Sequence, residues 1–179
     1  SIEKALERER LEAELALERE KEDIQSEIDR ITIEMSSKKD DYKSLKEKIE
    51  KIKIKENELT EELDTEKKQY INTQNDIKNV QREIDLYDSG KCPTCRTDFD
   101  SDHFVTLRAS LVEKKEGFES IKLEIEDNIR KIKERQTKLK NLSETTTNSF
   151  NDLNYLLRNY KSEIEKLTKK KESQNFAKN

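Results

Sequence analysis

The stretch Tyr87-Asp88-Ser89-Gly90-Lys91-Cys92-Pro93-Thr94-Cys95 decides the fold. It holds the only proline, both cysteines and one of only two glycines in 179 residues. Gly90 supplies the left-handed residue that helix ends favour. Pro93 fixes a turn in which two thiols converge. Downstream, Phe99-Asp100-Ser101-Asp102-His103-Phe104 reads as a helix start. Asp100 is suited to the N-cap, acidic and hydroxyl residues follow it, and Phe99 is placed to staple onto Phe104. A single chain reversal is therefore expected here, with 91 residues before Cys92 and 84 after Cys95.

Outward from this point both flanks are periodic. Stepping alternately 4 and 3 from Ile24 reads Ile24, Ile28, Ile31, Met35, Lys38, Tyr42, Leu45, Ile49, Ile52, Glu56, Leu59, Leu63, Glu66, Tyr70, Thr73, Ile77, Val80, Ile84, Tyr87. Fifteen of these nineteen are apolar, and the step needs no reset. Such a seam specifies a left-handed supercoil. Stepping 3 then 4 from Phe104 reads Phe104, Leu107, Leu111, Lys114, Phe118, Ile121, Ile125, Asn128, Ile132, Arg135, Leu139, Leu142, Thr146, Ser149, Leu153, Leu156, Tyr160, Glu163, Leu167, with thirteen of nineteen apolar.

Equal seams joined by a short turn fold back on each other, because the intrachain partner is at high effective concentration. The expected fold is all-α: an antiparallel intrachain coiled-coil hairpin with a Cys-Pro-x-Cys apex. Residues 1–88 ascend, 89–99 form the apex and 100–179 descend. Each arm would be about 100 Å long at 1.5 Å per residue. Two registers keep the layers matched. One pairs Tyr87 with Phe104 and sets Glu56 against Arg135. The other slips one heptad, pairing Val80 with Phe104 and Lys38 with Thr146.

Ser143–Ser149 has poor helix propensity and two successive polar seam positions. Met35–Asp41 lies at almost the same distance from the cysteines on the other arm. The two stretches read either as ordinary seam frustration or as a joint at one height of the rod. The first twenty residues hold the register only at Leu17 and read as helix without an assigned role, either after a register change or as a segment not native to the rest.

Composition limits the function classes. Charged residues are 44% and hydrophobic residues 30% of the chain, without tryptophan, too little apolar material for a globular core. The heptad period separates this composition from disorder. The net charge is −4 with signs interleaved, so there is no broad basic field for nucleic acid. Lys166, Lys169, Lys170 and Lys171 are the local exception; they read as a solvated face or as a DNA contact. No membrane span or signal peptide is visible, and the expected compartment is the cytoplasm, or the nucleus in a eukaryote. Two cysteines fit a metal or redox role in a reducing compartment better than a disulfide scaffold.

Cys92 and Cys95 form half of a tetrahedral zinc site. No third cysteine exists, and His103, the sole histidine, reads as a surface residue in the first turn of the second helix. The expected completion is Cys92 and Cys95 of a second chain, with one Zn2+ shared by four thiolates under a two-fold axis. Thiol redox chemistry would need a βαβ scaffold, of which there is no strand pattern. An unmetallated turn within a spacer protein is the remaining alternative.

A coiled-coil hairpin with Cys92-Pro93-Thr94-Cys95 at its apex, entered through Gly90-Lys91 and left through Thr97-Asp98-Phe99-Asp100, resembles the zinc hook of the SMC-like ATPases that partner the Mre nuclease in DNA break repair (the SbcC-like family). The short arms and the Lys/Ile/Asn-rich composition look more like the bacteriophage members. The resemblance implies zinc-bridged homodimerisation and tethering of DNA ends or sister duplexes. It also implies a parent bound to the nuclease and to DNA, with nucleotide-binding halves beyond Ser1 and Asn179. With Gly90 and Gly117 the only glycines, this chain holds no phosphate loop, so no ATPase or other enzymatic activity is expected of it.

Overall fold

The computed structural model describes residues 1–90 and 102–178. They form two helices, α1 (Ile2–Asp88, 87 residues) and α2 (Asp102–Lys178, 77 residues), and no strand occurs among the described residues. The two long helices pack together. The chain divides into two compact units, residues Ser1–Lys51 with Ser143–Asn179, and residues Ile52–Leu142.

The α1 seam is as the period predicts. All nineteen positions from Ile24 to Tyr87 are buried or half-buried. Ile31 is 1% exposed and Leu59 2%. Covering a Leu or Ile side chain of this kind contributes about 1.5–3 kcal/mol. Upstream, Leu17 alone of the first twenty residues is half-buried, while Ile2, Leu6, Leu11 and Leu15 are exposed.

The α2 seam departs from the predicted phase. The ten positions Phe104, Leu111, Phe118, Ile125, Ile132, Leu139, Thr146, Leu153, Tyr160 and Leu167 are all buried or half-buried. The alternating set is shifted by one residue, to Lys115, Lys122, Ile129, Gln136, Ser143, Phe150, Leu157, Ile164 and Lys171, each half-buried. Of the positions that the 3-then-4 step placed there, Asn128 and Leu156 are half-buried, but Leu107, Ile121 and Leu142 are 36%, 47% and 42% exposed. The physical reason is that the polar members of the observed phase find partners on α1. The Lys122 ammonium lies 5.6 Å from the Tyr70 ring centroid, and Lys171 Nζ donates to Gln25 Oε1 at 2.6 Å. Phe150 stacks on Tyr42 with ring centroids 4.7 Å apart. Glu163, Ser149 and Asn128 of the other phase would bring neither rings nor long apolar stems.

Within each unit the pairing is antiparallel and settles the register. Tyr42 meets Phe150 in the first unit, and Tyr87 meets Phe104 in the second at 6.1 Å between centroids. This is the register with Tyr87 against Phe104. Because of the shifted phase, Glu56 shares a cleft with Gln136 rather than facing Arg135, and Arg135 lies beside Leu59. The same register alters the expected soft joint. Residues 143–149 lie opposite the segment that follows Tyr42, not opposite 35–41, since Met35 shares a cleft with Leu157. Thr146 is 3% exposed and the stretch is continuous helix.

Outward faces are held by local pairs. Arg30 bridges Glu27 and Glu34, and Arg130 bridges Asp127 and Glu134. Exposed pairs of this spacing are screened by solvent and contribute little, so the seam carries the fold. The phase shift has a direct test. Ile125→Ala should destabilise the rod by about 2–5 kcal/mol through cavity formation, whereas Ile121→Ala should cost less than about 1 kcal/mol. Equal losses in thermal unfolding would restore the 3-then-4 phase.

Candidate functional site

The candidate site is the end of the hairpin at which α1 stops and α2 starts. α1 ends through backbone chemistry expected of glycine. Gly90 has φ 76°, and its N–H donates to the Tyr87 carbonyl at 3.2 Å, the inner bond of a glycine-terminated helix end. Ser89 N–H donates to the Asp85 carbonyl at 3.0 Å, and Ser89 Oγ donates to the Leu86 carbonyl at 2.6 Å. Thus several of the carbonyls that a helix end leaves unpaired are satisfied here. On the other side α2 begins at Asp102, and Thr106 Oγ1 donates to the Asp102 carbonyl at 2.9 Å.

The two helix ends are joined by a clasp. Arg108 Nε donates to Asp88 Oδ1 at 2.6 Å and Arg108 Nη2 to Asp88 Oδ2 at 3.2 Å, a forked arginine–carboxylate pair. Beneath it lies the tilted Tyr87–Phe104 ring pair. The clasp solves an electrostatic problem. A helix C-terminus carries partial negative charge, yet the last turn of α1 holds no basic residue and ends in Asp88. The guanidinium comes from α2 instead. Its hydrogen bond holds the Asp88 carboxyl below the usual carboxylate range, and Asp88 in turn pushes Arg108 up.

Cys92 and Cys95 lie outside the described residues, as do Pro93, the Asp100 cap and the Phe99 staple. His103 is exposed, with its ring 5.8 Å from that of Phe104. Among the described residues, no group of three or more His, Cys, Asp or Glu side chains is placed to hold a metal. The clasp brings together the residues on either side of segment 91–101.

Asp88 and Arg108 were not singled out in the sequence. The pair joins residues twenty apart on two helices, which the period along either helix alone does not bring together. Comparison of the chain with protein-family models, curated proteins and solved structures gave no match. No helix among the described residues is long and apolar enough to cross a membrane.

Asp88→Asn should loosen this end of the hairpin while leaving the rod helical. Spin labels at the exposed positions 86 and 105 should give a narrow distance distribution in the wild type and a broad one in the variant. The native pKa of Asp88 is depressed, so the clasp contributes fully above the unfolded carboxylate value of about 3.9. Its contribution is lost as pH falls through the lower native value. The wild-type distribution should broaden only in that acidic range, and broadening near neutrality would assign it to another group.

Proposed function

We propose that this chain is the zinc-mediated dimerisation and tethering module of an SMC-like ATPase of DNA break repair or recombination. The observation that carries the reading is the Cys92-Pro93-Thr94-Cys95 motif, set between two long helices whose ends are clasped at Asp88 and Arg108. Cys92 and Cys95 of each of two chains hold one Zn2+ as a tetrathiolate, so that two coiled-coil arms meet tip to tip. The chain catalyses nothing itself. Its parent works with an Mre-type nuclease and DNA, and the rod sets the reach of the tether.

Physical chemistry supports a shared metal over direct packing at the tip. A structural zinc site is worth on the order of 10 kcal/mol or more. Glycine, proline, threonine and lysine, which make up the rest of the tip from Gly90 to Cys95, offer little apolar area for two rods to bury. Binding zinc also turns the thiolates into poor nucleophiles, which disfavours disulfide exchange as the role of the pair.

Metal content per chain separates the readings. Half a zinc per chain, lost together with the dimer in Cys92→Ser or Cys95→Ser variants that remain helical, is the expected result. One zinc per chain would mean other ligands complete the site. No zinc after gentle purification would favour a metal-free coiled-coil spacer.

A further inference from the structure

The second unit carries a small surface whose two halves complement each other. An apolar cleft of about 230 Å³ opens between the helices, floored by Leu59, Leu139 and Leu142 and rimmed by Lys55, Arg135 and Lys138. Leu142 remains 42% exposed. Next to it on the same flank of α1, a shallow groove is lined by Glu58, Glu61, Glu62, Thr65 and Glu66. Lys55 and Glu62 are seven residues apart, which places them on one helix face about 10 Å apart along the axis.

The charges of this surface are poorly used within the chain. Arg30, Arg108 and Arg130 all make close ion pairs, but Arg135 and Lys138 make none among the described residues, and neither do Glu61 and Glu62. Lys55 reaches only Glu58 of its own helix, at 3.5 Å and with both side chains more than half exposed. A pair of that kind is worth little and is readily exchanged.

We infer that this face of the second unit pairs with the same face of a second copy, rod against rod and antiparallel. A two-fold axis crossing α1 between Lys55 and Glu62, near Leu59, lays Lys55 of each copy against Glu62 of the other. It also brings Arg135 to Glu61. The Thr65 methyl and the glutamate stems then cover the apolar cleft. An isologous contact must be self-complementary, and a basic cleft adjoining an acidic groove at one-heptad spacing has that property. A nucleic acid is a poorer occupant, because the glutamates beside the three cations repel phosphate and the chain is net negative. This contact uses no cysteine and is independent of the tip-to-tip reading.

Sedimentation of the Cys92→Ser/Cys95→Ser chain, and of the wild type in EDTA, removes the metal from the test in two ways. Both should self-associate, more weakly as salt rises. Lys55→Glu alone and Glu62→Lys alone each place like charges together twice and should weaken association at least about tenfold. An equimolar mixture of the two variants restores both pairs and should return affinity to within about threefold of the parent. Monomeric behaviour of the metal-free chain would overturn the inference. So would association indifferent to the single reversals, or reversals that mixing fails to rescue, an outcome that would point to an acidic partner for the basic half alone.

Discussion

The structure depends on one constraint: among the described residues, the apolar stripe of α1 has only α2 to cover it. The buried apolar residues are Ile24, Ile31, Ile52, Leu59, Val80 and Ile84 on α1 and Ile125 and Ile132 on α2. Within each unit they lie between the two helices, and among the described residues no third layer stands behind them. Stability is thus a sum of local layers, each answering to its neighbours. Among the described residues, two paired helices leave no interior in which to build an enclosed site.

The α1 helix was fully legible because its apolar residues concentrate in one phase. Fifteen of nineteen seam positions are apolar, and no rival stripe on that helix competes. In α2 the two phases that share Phe104, Leu111 and their heptad successors are nearly balanced. Leu107, Ile121, Leu142 and Leu156 favour one; Ile129, Phe150, Leu157 and Ile164 favour the other. Counting apolar residues cannot choose between them. The choice is made across the interface, by Tyr42 for Phe150, Tyr70 for Lys122 and Gln25 for Lys171. A one-residue error of phase leaves half the seam right, which is why the pattern looked continuous.

The end of the hairpin shows the same division between local and non-local information. Gly90 was readable because a helix end makes its own demand on a single residue. The Asp88–Arg108 clasp was not, since it joins residues twenty apart whose meeting depends on register and phase together. Its cause is nevertheless plain afterwards. α1 finishes on a carboxylate where its dipole is already negative, so the compensating cation must come from the other helix. Asp88 would be a poor final residue for an isolated helix and is a good one for this pair.

Register therefore matters more to the tip than to the rod. A slip of one heptad would keep apolar layers along most of the seam, setting Val80 against Phe104. It would, however, separate Tyr42 from Phe150 and Tyr87 from Phe104, and carry Arg108 about 10 Å from Asp88. The residues flanking segment 91–101 would then no longer stand side by side. Polar seam positions reinforce the choice, because Lys38, Glu56 and Glu66 tolerate few opposite numbers, and polar residues in a seam set register at some cost in stability. The aromatic pairs at Tyr42 and Tyr87 thus do two things at once. They add burial like any other layer, and they fix where the chain leaves α1 and rejoins α2.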